Sequence, residues 1–103
     1  MQIPRRLTEV KLREGAPAVG WLAVHIEFAR WIEASPAAAI GGQESSREEI
    51  AADIQRGAMY FVISDDKRSV KLTVSSVAPG TNFLHAFPEG GVRDRICDLP
   101  TYS

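Results

Sequence analysis

"SSREEIAADIQRGAMYFV" (residues 45–62) decides the fold, because it encodes a helix followed directly by a strand. The start of the helix offers two capping boxes, Ser45 with Glu48 and Ser46 with Glu49. In a capping box, the hydroxyl and the carboxylate bind free amides of the first helical turn. Acidic side chains also suit the positive end of the helix dipole. A helix is therefore predicted to begin at about residue 45.

The same stretch shows where the helix ends. Gly57 follows the last residue of a narrow apolar stripe and is a natural C-terminal cap. "AMYFVIS" (58–64) is a short continuous apolar run, which is typical of a central strand. We therefore predict one helix over 45–57 that packs by a single face, with a strand immediately after it.

Further strands are predicted on both sides of this unit. Residues 6–14 place apolar side chains among charges, as in an exposed first strand. "SVKLTV" (69–74) alternates between apolar and polar residues, and "NFLHAF" (82–87) forms a further strand after a turn. The order β-β-α-β-β-β predicts an α+β domain, with an antiparallel sheet and the helix on one face.

"WLAVHIEFARWIEA" (21–34) fits two periodicities. As a strand, it places on one face Leu22, Val24, Ile26 and Phe28. As a helix, it forms a stripe of Trp21, Val24, His25, Phe28, Trp31 and Ile32. The aromatic and β-branched content favours the strand.

Composition restricts the class of protein. The chain has 103 residues, which suits one domain, and its net charge of −1 gives no general attraction to nucleic acid or to an anionic membrane. No apolar run approaches the ~20 residues of a membrane span. A single cysteine excludes an internal disulfide, and the start resembles no secretory signal, so a cytoplasmic location is expected. Residues 1–5 and 101–103 are predicted to be loosely ordered tails of the domain.

Four segments, "RLTEVKLREG", "HIEFARW", "SSREEIAADIQRGAMYFV" and "FLHAFPEGGVRDRICDLP", occur in this order. Their arrangement resembles a family of small bacterial domains of unknown function. The matching positions are His25-Ile26, Ser46-Arg47-Glu48, Gly57, Tyr60, Val62, Gly90, Asp94, Leu99 and Pro100. Glu89 stands where the family has aspartate, and Arg95-Ile96 stands where it has Asn-Leu. The resemblance implies a strand at residues 21–32 and implies no activity.

The residues that carry chemistry do not form a complete catalytic set. Cys97 and His85 meet only if the tail folds back on the last strand, where Asp94 would join them; this is a candidate site for a small ligand or an enzyme. The nitrogen and sulfur ligands are not paired at zinc-binding spacing. We therefore assign no catalytic residue, no metal site and no cofactor, and we expect Cys97 to pack as a small apolar residue.

Aromatic and basic residues supply the candidate binding surface. Trp21 and Trp31 are either core residues or, where exposed, interface anchors. His85 lies between apolar residues beside two phenylalanines. Arg93 and Arg95 are candidates for a local basic patch with Lys67, Arg68 and Lys71, but the pattern favours an ordinary solvated face for these charges.

The segment "VRDRICDLP" (92–100) is expected to close the domain. Ile96 and Leu99 have the i, i+3 spacing that places both against the core in one helical turn. Asp94 is placed to accept from the amide of Ile96 or of the next residue, and Pro100 ends the turn. The two arginines of the segment are expected to face water.

These observations favour a noncatalytic module that binds another protein or a second copy of itself. An open sheet has edge strands that can pair, and exposed aromatic residues would add affinity. The alternatives are a small-ligand binder or enzyme near His85, Asp94 and Cys97, and, with less support, a nucleic-acid binder that uses the basic patch. No membrane association is expected.

Overall fold

The structure is a computed structural model, and it describes residues 4–33, 42–64, 67–78, 81–88 and 94–102. Within these ranges the chain forms seven strands, one α-helix and two short 3₁₀ helices. In chain order they are β1 (Arg5–Leu12), a 3₁₀ helix (Ala23–His25), β2 (Ile26–Glu33), β3 (Gln43–Ser46), α1 (Arg47–Gln55), β4 (Tyr60–Ile63), β5 (Ser69–Lys71), β6 (Thr73–Ala78), β7 (Thr81–His85) and a second 3₁₀ helix (Arg95–Asp98). No helix in these ranges is long and apolar enough to cross a membrane.

β1 is the middle strand of a five-stranded sheet with the order β3-β2-β1-β4-β5, and β6 and β7 form a separate two-stranded sheet. β1 and β4 run parallel, and the other strand pairs are antiparallel. α1 packs against β7, β6, β2 and β3. The predicted α+β domain, with mainly antiparallel pairing and one packed helix, is confirmed.

The strand order differs from the prediction in two places. β3 lies immediately before the helix and pairs with β2, so an additional strand precedes α1. The single strand predicted over 69–74 is divided between the two sheets. Buried Leu72 stands between β5 and β6, and its N–H donates to the carbonyl of Tyr60 at 2.8 Å, which is the last bond to β4 before the chain enters the second sheet.

Two β-bulges, at Thr8 in β1 and at Glu27 in β2, set the packing of the first strand pair. Each bulge adds one residue to one strand, which moves the following side chains to the opposite face. Ile26 therefore enters the core together with Trp31, whereas Phe28 is only partly buried. The prediction that Ile26 and Phe28 share a face is wrong for this reason.

The predicted strand over 21–32 starts later than expected. Leu22 is extended, and the 3₁₀ helix Ala23–His25 follows it. The N–H of Leu22 donates to Nδ1 of His25 at 2.9 Å, and the N–H of His25 donates to the carbonyl of Leu22 at 2.9 Å. This local turn competes with sheet pairing, so β2 begins only at Ile26.

The capping box that forms is Ser46 with Glu49. The Ser46 hydroxyl accepts from the N–H of Glu49 at 3.1 Å, and the Glu49 carboxylate accepts from the N–H of Ser46 at 3.0 Å. Ser45 instead lies in β3, where its hydroxyl accepts from Nε1 of Trp31 at 3.0 Å. Gly57 has a φ of 104°, so it occupies the left-handed position after the helix that favours glycine.

The core lies between the five-stranded sheet, α1 and the β6–β7 hairpin. Its largest fully buried side chains are Tyr60, Leu7, Ile26, Ile50, Leu72, Leu84, Ile96, Val10 and Val62. Trp31 is 9% exposed and meets the Tyr60 ring edge-on, with the ring centroids 6.1 Å apart. Trp31 is therefore a core residue, and its ring is not available to a partner at the surface.

A polar network ties the first strand, the helix and β4 together. The Tyr60 hydroxyl donates to Oδ2 of Asp53 at 2.9 Å and accepts from Nη1 of Arg5 at 2.6 Å. Arg5 also pairs with Asp53 at 3.3 Å, and its guanidinium lies 4.2 Å from the centroid of the Trp31 ring. Burial alone would raise the pKa of Asp53, because it favours the neutral carboxyl. The pKa is nevertheless lowered, because Tyr60 and Arg56 donate hydrogen bonds to the carboxylate and the charges of Arg56 and Arg5 stabilise it.

Both predicted tails are partly held by backbone pairing. Arg5 starts β1, and Thr101 forms a parallel bridge with Val10 of the same strand. The Tyr102 hydroxyl contacts Oε2 of Glu44 at 2.6 Å, and Arg30 lies 3.9 Å from the Tyr102 ring centroid. Arg5, Thr101 and Tyr102 therefore have backbone partners, and the loose order predicted for residues 1–5 and 101–103 stays a prediction.

The polar network predicts the acid stability of the domain. Because the pKa of Asp53 lies below its ordinary value of 3.8, its stabilising contribution is complete above that value and is lost as the pH falls through the lowered pKa. Tyr60→Phe removes the neutral donor and should lower the free energy of unfolding at pH 7 by about 1–3 kcal/mol. Between pH 5 and pH 2, the free energy of unfolding of the variant should also fall by less than that of the unmodified chain. Urea unfolding at each pH measures this difference.

Tyr102→Phe is the matched control, because it removes a hydroxyl that contacts Glu44 and leaves Asp53 unchanged. Its free energy of unfolding should fall between pH 5 and pH 2 by as much as that of the unmodified chain. Equal acid dependence in Tyr60→Phe and the unmodified chain would contradict the role given to Asp53.

Candidate functional site

A cleft of about 500 Å³ lies where β2, the start of α1 and β7 meet; we call it the α1 cleft. Its lining consists of Arg13, Val24, Ile26, Glu27, Phe28, Ser46, Arg47, Glu48, Thr81 and Phe83. A volume of this size is typical of ligand sites. Because its walls come from four separated parts of the chain, only the folded domain forms it.

Arg47 is one of the charged residues that line the α1 cleft. Its guanidinium is 5.0 Å from the Phe83 ring centroid, and its Nη1 donates to the carbonyl of Ile26 at 3.4 Å. Nη2 of the same group pairs with Oε1 of Glu48 at 3.0 Å. These contacts hold the long side chain in place, so little conformational freedom remains to be lost when a ligand binds.

Glu48 connects the start of the helix to β7. The Asn82 side-chain amide donates to Oε2 of Glu48 at 3.1 Å. This hydrogen bond lowers the pKa of Glu48. Burial acts in the opposite direction, and the hydrogen bond and charge of Arg47 lower the pKa further. Glu48 is therefore a charged link between α1 and the hairpin rather than a member of the capping box.

An exposed apolar segment adjoins the α1 cleft. Val19 is 90% exposed, Leu22 is 59% exposed and Val24, which also lines the cleft, is 38% exposed. We call these three residues the apolar rim. Trp21, between them in sequence, is partly buried against the core and so anchors the segment to the domain.

A second concave site of about 370 Å³ lies beside β5; we call it the β5 groove. Its lining consists of Arg68, Ser69, Val70, Lys71, Thr73, Phe87 and Pro88. Phe87 is 49% exposed and stacks on the His85 ring, with centroids 5.5 Å apart and an interplanar angle of 22°. Two members of the candidate basic patch, Arg68 and Lys71, thus share a groove with an exposed aromatic ring.

Asp94 is the centre of the C-terminal closure. Its Oδ1 accepts from the N–H of Ala86 at 2.7 Å and from the N–H of Ile96 at 3.2 Å, and its Oδ2 contacts Nδ1 of His85 at 2.7 Å. The predicted cap is therefore present, and Ile96 is fully buried below it. Leu99 packs against the core, and the carbonyl of Pro100 accepts from the N–H of Val10 at 3.0 Å.

The structure brings His85 and Asp94 together as the sequence allowed, but both oxygens of the carboxylate serve the closure. Cys97 is partly buried against the core, and its N–H donates to the carbonyl of Asp94 at 3.3 Å. Among the described residues, no group of three or more His, Cys, Asp or Glu side chains is arranged to hold a metal ion.

Arg95 is not among the described residues that line the β5 groove with Arg68 and Lys71. Arg95 is partly buried and pairs with Asp98 at 3.4 Å, so the expectation that it faces water is wrong. The 3₁₀ turn is short, which brings the i and i+3 side chains onto the same side. Arg93 and Gly90 lie outside the described residues.

Several residues of the α1 cleft carried no signal in the sequence. Phe28 and Phe83 appeared as residues of predicted elements, Arg13 as a scattered charge and Arg47 as a position of the resemblance, and none was a candidate binding residue. Their convergence depends on long-range pairing, which no local spacing reports. Comparisons of the chain with protein-family models, with curated proteins and with solved structures give no match.

The contacts of Asp94 predict how the closure responds to substitution. Asp94→Ala should lower the free energy of unfolding by about 0.5–2 kcal/mol, because the amides of Ala86 and Ile96 lose their acceptor. Asp94→Asn keeps an acceptor oxygen, so its free energy of unfolding should fall by less than that of Asp94→Ala. Urea unfolding of both variants measures the difference; an Asp94→Ala domain as stable as the unmodified one would contradict the cap.

Proposed function

We propose that this protein is a noncatalytic interaction module, and that an apolar segment of a partner protein binds in the α1 cleft and against the apolar rim. The observation that carries the proposal is the continuity of the two surfaces. Val24 belongs to both: it lines the cleft and is 38% exposed, and the exposed Leu22 and Val19 precede it by two and five residues in the chain. Exposed apolar side chains grouped at a cleft are typical of interaction sites.

The rim argues for a protein rather than a small molecule. A ligand that fills about 500 Å³ covers the walls of the cleft but leaves Val19 and Leu22, which are 90% and 59% exposed, in water. A polypeptide that places one large apolar side chain in the cleft has neighbouring residues that cover the rim. Apolar anchors in a preformed pocket, surrounded by further contacts, are the usual pattern at protein interfaces.

The charges around the α1 cleft also suit a polypeptide. Arg13 and Glu27 are exposed at its edge and have opposite signs. Arg47 and Glu48 neutralise each other within it. A polar edge of mixed sign around an apolar centre is the arrangement found at many protein interfaces, and it offers no net charge to select an anionic or a cationic small molecule.

The proposal extends to the setting of the protein and to its partner. We place it in a bacterial cytoplasm, which the resemblance and the single cysteine favour. The partner is a different protein or a second copy of this chain, and no cofactor takes part. The alternative of a small-ligand or enzymatic site at His85, Asp94 and Cys97 has the 2.7 Å contact between His85 and Asp94 in its favour, but the carboxylate there is committed to the closure.

A peptide-display experiment tests the proposal. A random twelve-residue peptide library is selected on the immobilised unmodified domain, and the enriched peptides are then measured against Leu22→Asp and Val24→Asp. Each substitution places a charge in the apolar surface, so binding should weaken by at least about tenfold, which corresponds to about 1.4 kcal/mol. Analytical ultracentrifugation over a concentration series tests self-association by the same surface.

Met59→Asp is the matched control, because Met59 is 44% exposed and lies outside the lining of the α1 cleft. It should bind the selected peptides as the unmodified domain does. Failure to enrich any peptide, together with a monomer at all concentrations, would overturn the proposal. Equal loss of binding in the control and in the rim variants would also overturn it.

A further inference from the structure

We propose that the β5 groove is a separate site, and that it binds a nucleoside phosphate, with the base stacked on Phe87 and the phosphate held by Lys71. The proposal does not depend on the function assigned to the α1 cleft. The β5 groove has a volume of about 370 Å³, which lies within the range of small-ligand sites. The ligand class follows from the three kinds of group that line it.

The first group is the aromatic ring. One face of Phe87 is covered by the His85 ring, and the side chain is nevertheless 49% exposed. Phe87 also lines the groove, so exposed surface of this residue is available there. A planar ring that stacks there buries apolar area on an already ordered partner, and stacking on an aromatic side chain is a recurrent way to hold a base.

The Phe87 ring is held in position before any ligand arrives. His85 stacks against it, and Nδ1 of His85 contacts Asp94 at 2.7 Å. Asp94 is fixed in turn by two backbone N–H groups. Exposed aromatic side chains on loops usually have no such support, and this order reduces the entropy that stacking would otherwise cost.

The second group is a cation. Lys71 is exposed and lines the β5 groove, and Arg68, which has an interaction of its own, lies in the same lining. Asp65 and Asp66, which precede them in the chain, lie outside the described residues. Lysine and arginine side chains are the usual protein partners of phosphate oxygens.

The third group is a pair of hydroxyls. Ser69 and Thr73 line the same groove, and Thr73 is paired with His85 across the β6–β7 hairpin, next to the stacked rings. Hydroxyl groups donate to and accept from sugar hydroxyls and base edges. Ring, cation and hydroxyls together match the three parts of a nucleoside phosphate.

Titrations of the unmodified domain with AMP test the inference, with ¹⁵N-labelled protein and amide chemical shifts as the readout. AMP should shift the amides of Lys71, Thr73 and Phe87, and adenosine alone and inorganic phosphate alone should bind more weakly. Higher sodium chloride should weaken AMP binding more than adenosine binding, because only the phosphate contact is screened.

Two variants separate the contributions of ring and cation. Phe87→Leu should weaken AMP binding between about fivefold and about a hundredfold, the usual range for loss of one stacking contact. Lys71→Gln should weaken AMP but not adenosine. Lys11→Gln, a lysine outside the groove, is the matched control and should leave AMP binding unchanged.

The source of the nucleotide is read from one further comparison, between AMP and a hexanucleotide with a 5′-phosphate. Tighter binding of the hexanucleotide assigns the site to a nucleic-acid end, and equal binding assigns it to a free nucleotide. The inference is overturned if millimolar AMP shifts none of these amides, if phenyl phosphate binds as tightly as AMP, or if neither Phe87→Leu nor Lys71→Gln weakens the complex while both remain folded by their amide spectra.

Discussion

The bond from the Tyr60 hydroxyl to Asp53 is the contact on which the arrangement of the domain depends. A fully buried phenol needs a hydrogen-bond partner, and here the partner is a carboxylate on α1. Arg5 completes the group from β1, the middle strand of the large sheet. The same three residues therefore fix the parallel pairing of β1 with β4 and the position of the helix. Because α1 is fixed in this way, its first turn lies beside β7 and the α1 cleft has its walls.

The features that could be predicted from the sequence are those determined by residues close together in the chain. The capping box of Ser46 and Glu49, the glycine after the helix and the cap at Asp94 are all local hydrogen-bond arrangements, and all are present. The bulges at Thr8 and Glu27 could not be predicted, because they arise from how two strands pair. The bulge at Glu27 reverses the alternation along β2, which is why Trp31 is a core residue together with Ile26, and Phe28 is not.

The two concave sites also differ in whether their residues are close together in the sequence. Arg68 and Lys71 were identified as part of a basic patch because they are neighbours in sequence, and both line the β5 groove. The α1 cleft was not foreseen, because it joins residues from β2, α1 and β7 that share no motif. His85 was singled out for the chemistry of its ring, and in the structure this ring stacks on Phe87, which lines the β5 groove.

The bridge between Val10 and Thr101 has a consequence for how the chain folds during synthesis. β1 is made first, but it pairs along its length with β2, β4 and Thr101, which emerge at different times. A nascent chain can form the β1–β2 pair early, yet the last partner of β1 leaves the ribosome only after residue 101 has been added. Contacts between residues so distant in sequence slow folding. The middle strand of the sheet, usually the most protected part of such a domain, is here the last to obtain all of its partners.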